Sequence, residues 1–303
     1  MTVGPFRPSK FPALLSQLHS PVGVVLSLAG KAMRRRDFIA GVAGSTAAWP
    51  LGAHAQAQTP QDRSEAQLNR TLRLEVDVVA DRIDQFIEGI RKQVDAMAQP
   101  PWTAAGAVEQ RNFAILQLLR GVPAILAIAQ LDGAGKEQSR VSRVRMDAVG
   151  IGSDFSKDPK FTEAVAKGVY YGPVHFRDGA SEPYMTLSVA GPRPYSGVNV
   201  AEVNLKPVQD VVVAAKIGER GLAYVIDAEN RVIAHPNTGL IQKDFSRLDH
   251  VRAARAAGSR LEGLQTAHDS NGREVIAICA PISRLGWLVF AELPVEEAKA
   301  SSR

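Results

Sequence analysis

Gly221–Pro236, GLAYVIDAENRVIAHP, carries the plainest structural instruction in the chain. An apolar run, Leu222 to Ile226, meets a polar tip of Asp227, Ala228, Glu229 and Asn230. A second run, Val232 to Ala234, follows and is closed by His235 and Pro236. Two apolar runs around a short polar tip predict a β-hairpin that opens a small domain. Downstream, Phe245 to Ala257 reads as helical. Gly263 to His268, Glu274 to Ile282 and Leu285 to Leu293 read as strands, parted by turns at Asp269 to Gly272 and near Ser283-Arg284.

Upstream the same grammar recurs. A helix over Val108 to Leu119 precedes an apolar run, Ala124 to Leu131, that ends at Asp132-Gly133. A loop-rich stretch, Gly150 to Pro159, leads into a short helix over Lys160 to Ala166. Strands follow over Val169 to Phe176, Tyr184 to Val189 and Val198 to Leu205, and a helix over Pro207 to Ala215 leads to the hairpin. Before all of these, apolar residues recur at Leu68, Leu72, Val76, Val79, Ile83, Phe86, Ile90, Val94 and Met97, gaps of three and four that mark one helical face. Pro100 and Pro101 end it. A helix of that extent is roughly 50 Å long at 1.5 Å per residue, which predicts that it runs along more than one domain or pairs with a second chain.

Residues 1–57 differ in kind. Arg34, Arg35 and Arg36 before Asp37, Phe38 and Ile39 resemble a twin-arginine export signal, followed by a weakly apolar stretch to Leu51 and small-residue cleavage options near Ala55. Gly41, Gly44 and Pro50 leave the stretch well short of the roughly 20 apolar residues of a spanning helix. These 57 residues carry the whole net charge of +5, because the remaining 30 basic and 30 acidic residues cancel. A neutral mature protein has no footprint for a polyanion, so no nucleic acid partner is expected. Cys279 is the single cysteine, which excludes a disulfide or a thiolate metal cluster within the chain. No nucleophile elbow, phosphate loop or zinc helix is present, and the histidines after residue 57 are too scattered for local metal spacing. The expectation is therefore no enzymatic activity, no cofactor and no metal.

The motifs Gly-x-Ala-Tyr-Val-Ile-Asp from Gly221, Ile-Ala-His-Pro from Ile233, Asn-Gly-Arg-Glu-Val from Asn271 and Gly-Trp-Leu-Val from Gly286 resemble the membrane-proximal unit of double Cache domains, the extracytoplasmic ligand-sensing units of bacterial receptors. The resemblance extends over about residues 62 to 296. It implies an α+β fold: a long N-terminal helix followed by two tandem PAS-like antiparallel-sheet modules. The expected division is a leader over 1–57, the long helix over 58–101, a membrane-distal module over 102–215, a membrane-proximal module over 216–294 and the start of an exit helix over 295–303. The implied function is small-ligand sensing for transmembrane signal transduction in the periplasm, with no output module before Arg303. The alternative is a soluble periplasmic solute-binding protein. A homodimer through the long helix and a membrane receptor partner also follow from the resemblance.

A small-molecule site wants an apolar or aromatic lining with a few convergent polar groups. The candidate ligand-binding residues are Phe155, Lys160, Phe161, Tyr171, His175, Arg177, Asp178, Tyr184 and Asn204, with Tyr170 and Lys157 nearby. Amino-acid-binding double Cache domains carry Arg-x-Trp-Tyr for the ligand carboxylate and a later Asp for its ammonium. Here Asp158-Pro159-Lys160-Phe161 stands at the first place and Asn204 at the second. The reading therefore favours an organic acid or another small polar metabolite over an amino acid. Trp102 and Trp287 are assigned to packing, and Tyr224, Asp227 and His235 to architecture.

Overall fold

A computed structural model describes residues 60–97, 107–143, 148–149, 152–177, 182–193, 196–261 and 263–300. The leader, Trp102 and Asp178 lie outside the described residues.

Helix α1 spans Pro60–Ala96, about 55 Å at 1.5 Å per residue. Its inner stripe is Leu72, Val76, Val79, Ile83, Ile87, Ile90 and Val94, all buried. Ile87 takes the core position that spacing alone gave to Phe86, which packs against the edge of the same cluster. α2 (Ala107–Gly121) follows, then a seven-stranded antiparallel sheet. Its strands are β1 (Ile125–Leu131), β2 (Glu137–Ser142), β3 (Ala148–Val149), β4 (Val169–Tyr171), β5 (His175–Phe176), β6 (Pro183–Ala190) and β7 (Val198–Asn204), in the order β3-β2-β1-β7-β6-β4 with β5 beside β6. α3 (Pro159–Lys167) lies between β3 and β4 in the chain. Asp158 caps it, accepting from Lys160 N at 2.9 Å, with Pro159 in its first turn.

Two elements depart from the sequence reading. β2, Glu-Gln-Ser-Arg-Val-Ser, is too polar to declare itself, and pairing with β1 makes it a strand. The single strand expected over Val169 to Phe176 is broken in two at Gly172-Pro173, where proline has no N–H for the ladder.

α4 (Lys206–Ala214) leads to the second sheet, of five antiparallel strands: β8 (Leu222–Ile226), β9 (Val232–Ala234), β10 (Gln265–His268), β11 (Glu274–Ile282) and β12 (Trp287–Pro294), ordered β10-β11-β12-β8-β9. α5 (Asp249–Ala256) packs on it and α6 (Val295–Ala300) follows β12. The hairpin strands have the limits that their apolar runs predict. At its tip Asp227 Oδ1 accepts from the backbone N–H groups of Glu229 and Arg231, and Asn230 takes φ 64°, a left-handed value that asparagine tolerates.

One apolar core joins both sheets through α1, with Ile128, Met185 and Leu187 from the first and Ile278, Val289 and Ala291 from the second. Ion pairs fix the helix to the second sheet. Arg284 reaches Asp84 and Glu88, Arg260 reaches Asp77, and the half-buried Arg73 donates to the carbonyls of Cys279 and Leu261. Among the described residues no helix is long and apolar enough to cross a membrane.

Candidate functional site

Strand alternation divides the first sheet into two faces. Ile128, Met185, Leu187, Ala201 and Val203 face α1 and the core. Ala127, Ala129, Thr186, Val200 and Glu202 face the other way, and on β2 Arg140 and Ser142 stand opposite Ala129 and Ala127. α3 covers one end of that outer face with Phe161 and Ala164, which pack with Leu131 and Val198. Beside α3 remains a chamber of about 150 Å³, lined by Ala127, Ala129, Leu131, Arg140, Ser142, Phe155, Lys160, His175, Thr186, Val200 and Glu202. A cavity of roughly this volume holds a molecule the size of benzene.

Small side chains make the space. The central strands meet at the pairs Ala127↔Glu202 and Ala129↔Val200. On the second sheet the matching central pair is Phe290↔Tyr224. There the rings of Tyr224 and Phe290 stack at 5.3 Å, Phe245 meets Tyr224 edge-on at 5.4 Å, and His250 closes on Phe290 at 5.3 Å. The Tyr224 hydroxyl lies 2.7 Å from His250 Nε2, which is 3.0 Å from Glu292 Oε1. Aromatic rings and a buried polar cluster fill the volume that alanine and valine leave open on the first sheet.

The chamber carries both signs of charge. Glu202 accepts from Arg177 Nη2 at 2.9 Å and has His175 Nε2 at 3.9 Å. The His175 imidazole and the Arg177 guanidinium hold its carboxyl down to about 2 against the opposing effect of burial. Arg140 forms a two-point ion pair with the buried Glu137, at 2.7 and 2.8 Å. Lys160 Nζ stands 3.2 Å from Asp158 and 3.7 Å above the Phe155 ring centroid, a cation–π contact between two residues of the chamber lining. Arg140 stands two strands across and two residues along from Glu202, which puts their backbones about 12 Å apart at 4.7–4.9 Å per strand and 3.4 Å per residue.

Of the residues singled out from sequence, Phe155, Lys160 and His175 line the chamber. Phe161 packs beneath α3. Tyr171 is turned to the opposite face, against the α1 core, because adjacent strand residues alternate; its neighbour Tyr170 packs on the α3 side. Arg177 reaches the site through Glu202 and lies 4.4 Å from the Tyr184 ring centroid. Tyr184 and Asn204, paired across β6 and β7, both donate to Glu182, at 3.0 and 2.9 Å, beyond the end of the chamber. Arg140 and Glu202 were missed. Both lie in polar strand sequence with no motif around them, and only the β2-β1-β7 pairing brings them to one face.

The chain matches the family model of the Cache domain over residues 56–302. No curated protein matches it. Among solved structures it is similar to the sensory domain of the Campylobacter jejuni chemoreceptor Tlp3, at 15% identity and a TM-score of 0.64, over 80% of this chain and 98% of that one. It is also similar to the ligand-binding domain of the Pseudomonas aeruginosa amino acid chemoreceptor PctC in complex with GABA, at 17% identity and 0.57, over 74% and 98%. A third is the extracellular domain of the putative histidine kinase mmHK1S-Z2, at 14% identity and 0.61, over 76% and 98%. The Tlp3 domain has also been solved with isoleucine bound. These amino-acid complexes overturn the preference for an organic acid over an amino acid. The preference rested on the absence of an arginine and an anion, and the chamber supplies both in Arg140 and Glu202.

Proposed function

The chain belongs to the double Cache domain family, and we propose that it senses a small zwitterion of amino-acid size, held in the chamber of the first sheet. The observation that carries this reading is the placement of Glu202 and of the cations Arg140 and Lys160 around one cavity of about 150 Å³. Glu202 accepts the ligand ammonium, and Lys160 and Arg140 receive the carboxylate. A side chain of a few carbons rests on Ala127, Ala129, Leu131 and Phe155. The first module, 102–215, is membrane-distal and the second, 216–294, membrane-proximal. The twin-arginine pattern at Arg34–Arg36 puts the domain in the periplasm.

Binding shifts the population between two arrangements of the modules only so far as the ligand favours one of them. The test is a thermal-shift screen of residues 58–303 against the twenty L-amino acids and GABA at millimolar concentration. A binder present at 100 times its Kd stabilises the fold by about 2.7 kcal/mol, readily visible as a higher Tm. A flat response over the whole panel overturns the reading.

A further inference from the structure

We propose that Arg231, at the hairpin tip of the second sheet, is a positioning residue for the chamber of the first, acting through the backbone of Val174 on His175. β6 pairs with β4 at Tyr171↔Leu187 and with β5 at His175↔Tyr184. Three residues, Gly172, Pro173 and Val174, therefore face two, Met185 and Thr186. This is a bulge, a device that re-aims the side chains after it. Gly172 N still donates to Thr186 O at 2.8 Å, and the approach is so close that a Cβ there would stand 3.2 Å from the Thr186 side chain. The bulge turns the Val174 carbonyl off the ladder, and it accepts from Arg231 Nη2 at 3.1 Å. The next residue, His175, lines the chamber, and Arg177 two further on holds Glu202. β5 is two residues long, so its aim depends on how its first end is held.

Arg231 is itself fixed. Its Nε and Nη2 lie 2.9 and 2.7 Å from Asp227 Oδ2, and its backbone N–H donates to Asp227 Oδ1 at 2.8 Å. Nη2 meets both the carboxylate and the distant carbonyl while Nε holds the carboxylate a second time, and a lysine ammonium would end one bond short of Nη2. The turn itself does not need this reach, because a second turn of the same sheet closes with the local bonds alone. Asp269 and Arg273 repeat the arrangement at the β10–β11 turn: Oδ1 accepts from the N–H groups of Asn271 and Arg273, and Oδ2 from Arg273 Nε at 2.9 Å. The Arg273 side chain is 67% exposed, against 37% for Arg231. The same local chemistry closes both turns, and Arg231 carries the added bond to the first sheet. Resting on the function proposed above, this bond gives the chamber a link to the second sheet apart from α1. By reciprocity, occupancy of the chamber and the grip on Val174 affect each other equally.

Arg231→Lys in the full chain keeps a cation beside Asp227 and removes the nitrogen that reaches Val174. Arg273→Lys is the matched control. With no compound added, hydrogen exchange at His175, Phe176 and Arg177 is expected to quicken about tenfold in Arg231→Lys, the effect of losing one hydrogen bond, and to stay unchanged in Arg273→Lys. Calorimetric titration with the L-amino acid of largest thermal shift is expected to show a Kd about tenfold weaker in Arg231→Lys alone. Equal exchange in the two variants overturns the proposal, as does faster exchange with an unchanged Kd. If no L-amino acid binds the wild type, the functional reading fails by itself and the exchange comparison still decides the role of Arg231.

Discussion

Arg284 grips Asp84 through two hydrogen bonds, Nε to Oδ1 at 2.6 Å and Nη2 to Oδ2 at 2.7 Å, and so ties the β11–β12 turn to the middle of α1. Nη1 adds Glu88 at 2.5 Å. A bidentate, partly shielded guanidinium–carboxylate pair is worth more than the usual exposed one. Arg284→Ala is expected to lower unfolding stability by about 1 to 2 kcal/mol in urea titration. A double-mutant cycle with Asp84→Ala should return a coupling energy of at least about 0.5 kcal/mol; additive single effects would mean that the pair contributes nothing.

Glu202→Gln keeps the shape of the chamber wall and removes its anion. Amino-acid binding measured by calorimetry should weaken by at least about tenfold, because a charge-assisted hydrogen bond to an ammonium is worth roughly 1.5 to 3 kcal/mol. The fold should lose less than about 1 kcal/mol, since the pair with Arg177 is partly solvent-screened. Unchanged affinity would remove Glu202 from the site.

Ala129→Phe fills the chamber from its floor. Circular dichroism should report an intact fold, with a stability change within about 1 to 3 kcal/mol, the usual range for added volume. The thermal shift with amino acids should vanish. A surviving shift would place the ligand elsewhere.

Acid should destabilise the domain through Glu88 and Glu202, both held down to about 2. Hydrogen bonding from Arg91 does this to Glu88, and His175 and Arg177 do it to Glu202. Between the ordinary carboxylate value of 4.5 and about 2 the unfolded chain binds more protons, so their contribution is complete above pH 4.5 and is lost as pH falls toward 2. Asp227 and Glu75, pushed up by burial, oppose the trend in part. Urea midpoints at pH 5 and pH 3 decide this: a midpoint that does not fall would contradict the assignment.

Cys279 is fully buried in β11, and burial pushes its thiol up. Alkylation by iodoacetamide at pH 8 should be negligible in the native protein and prompt in urea, because the thiolate is the reacting species. Rapid native labelling, read by mass spectrometry, would show that the second sheet opens.

Elements whose cues are local can be read from the chain without its fold. The α1 stripe is written as gaps of three and four, and the β8–β9 hairpin as two apolar runs around Asp227 and Asn230, because helix periodicity and turn chemistry act over a few residues. Phe155, Lys160 and His175 were also legible, as aromatic and polar residues before, within and after α3. Tertiary structure alone decided the rest. Arg140 and Glu202 share a chamber because β1 lies between β2 and β7 in one register, and Tyr171 leaves it because a strand turns each successive side chain to the other face. Pairing between distant strands is settled by the whole packed sheet, so no short stretch of chain records which residues it will bring together.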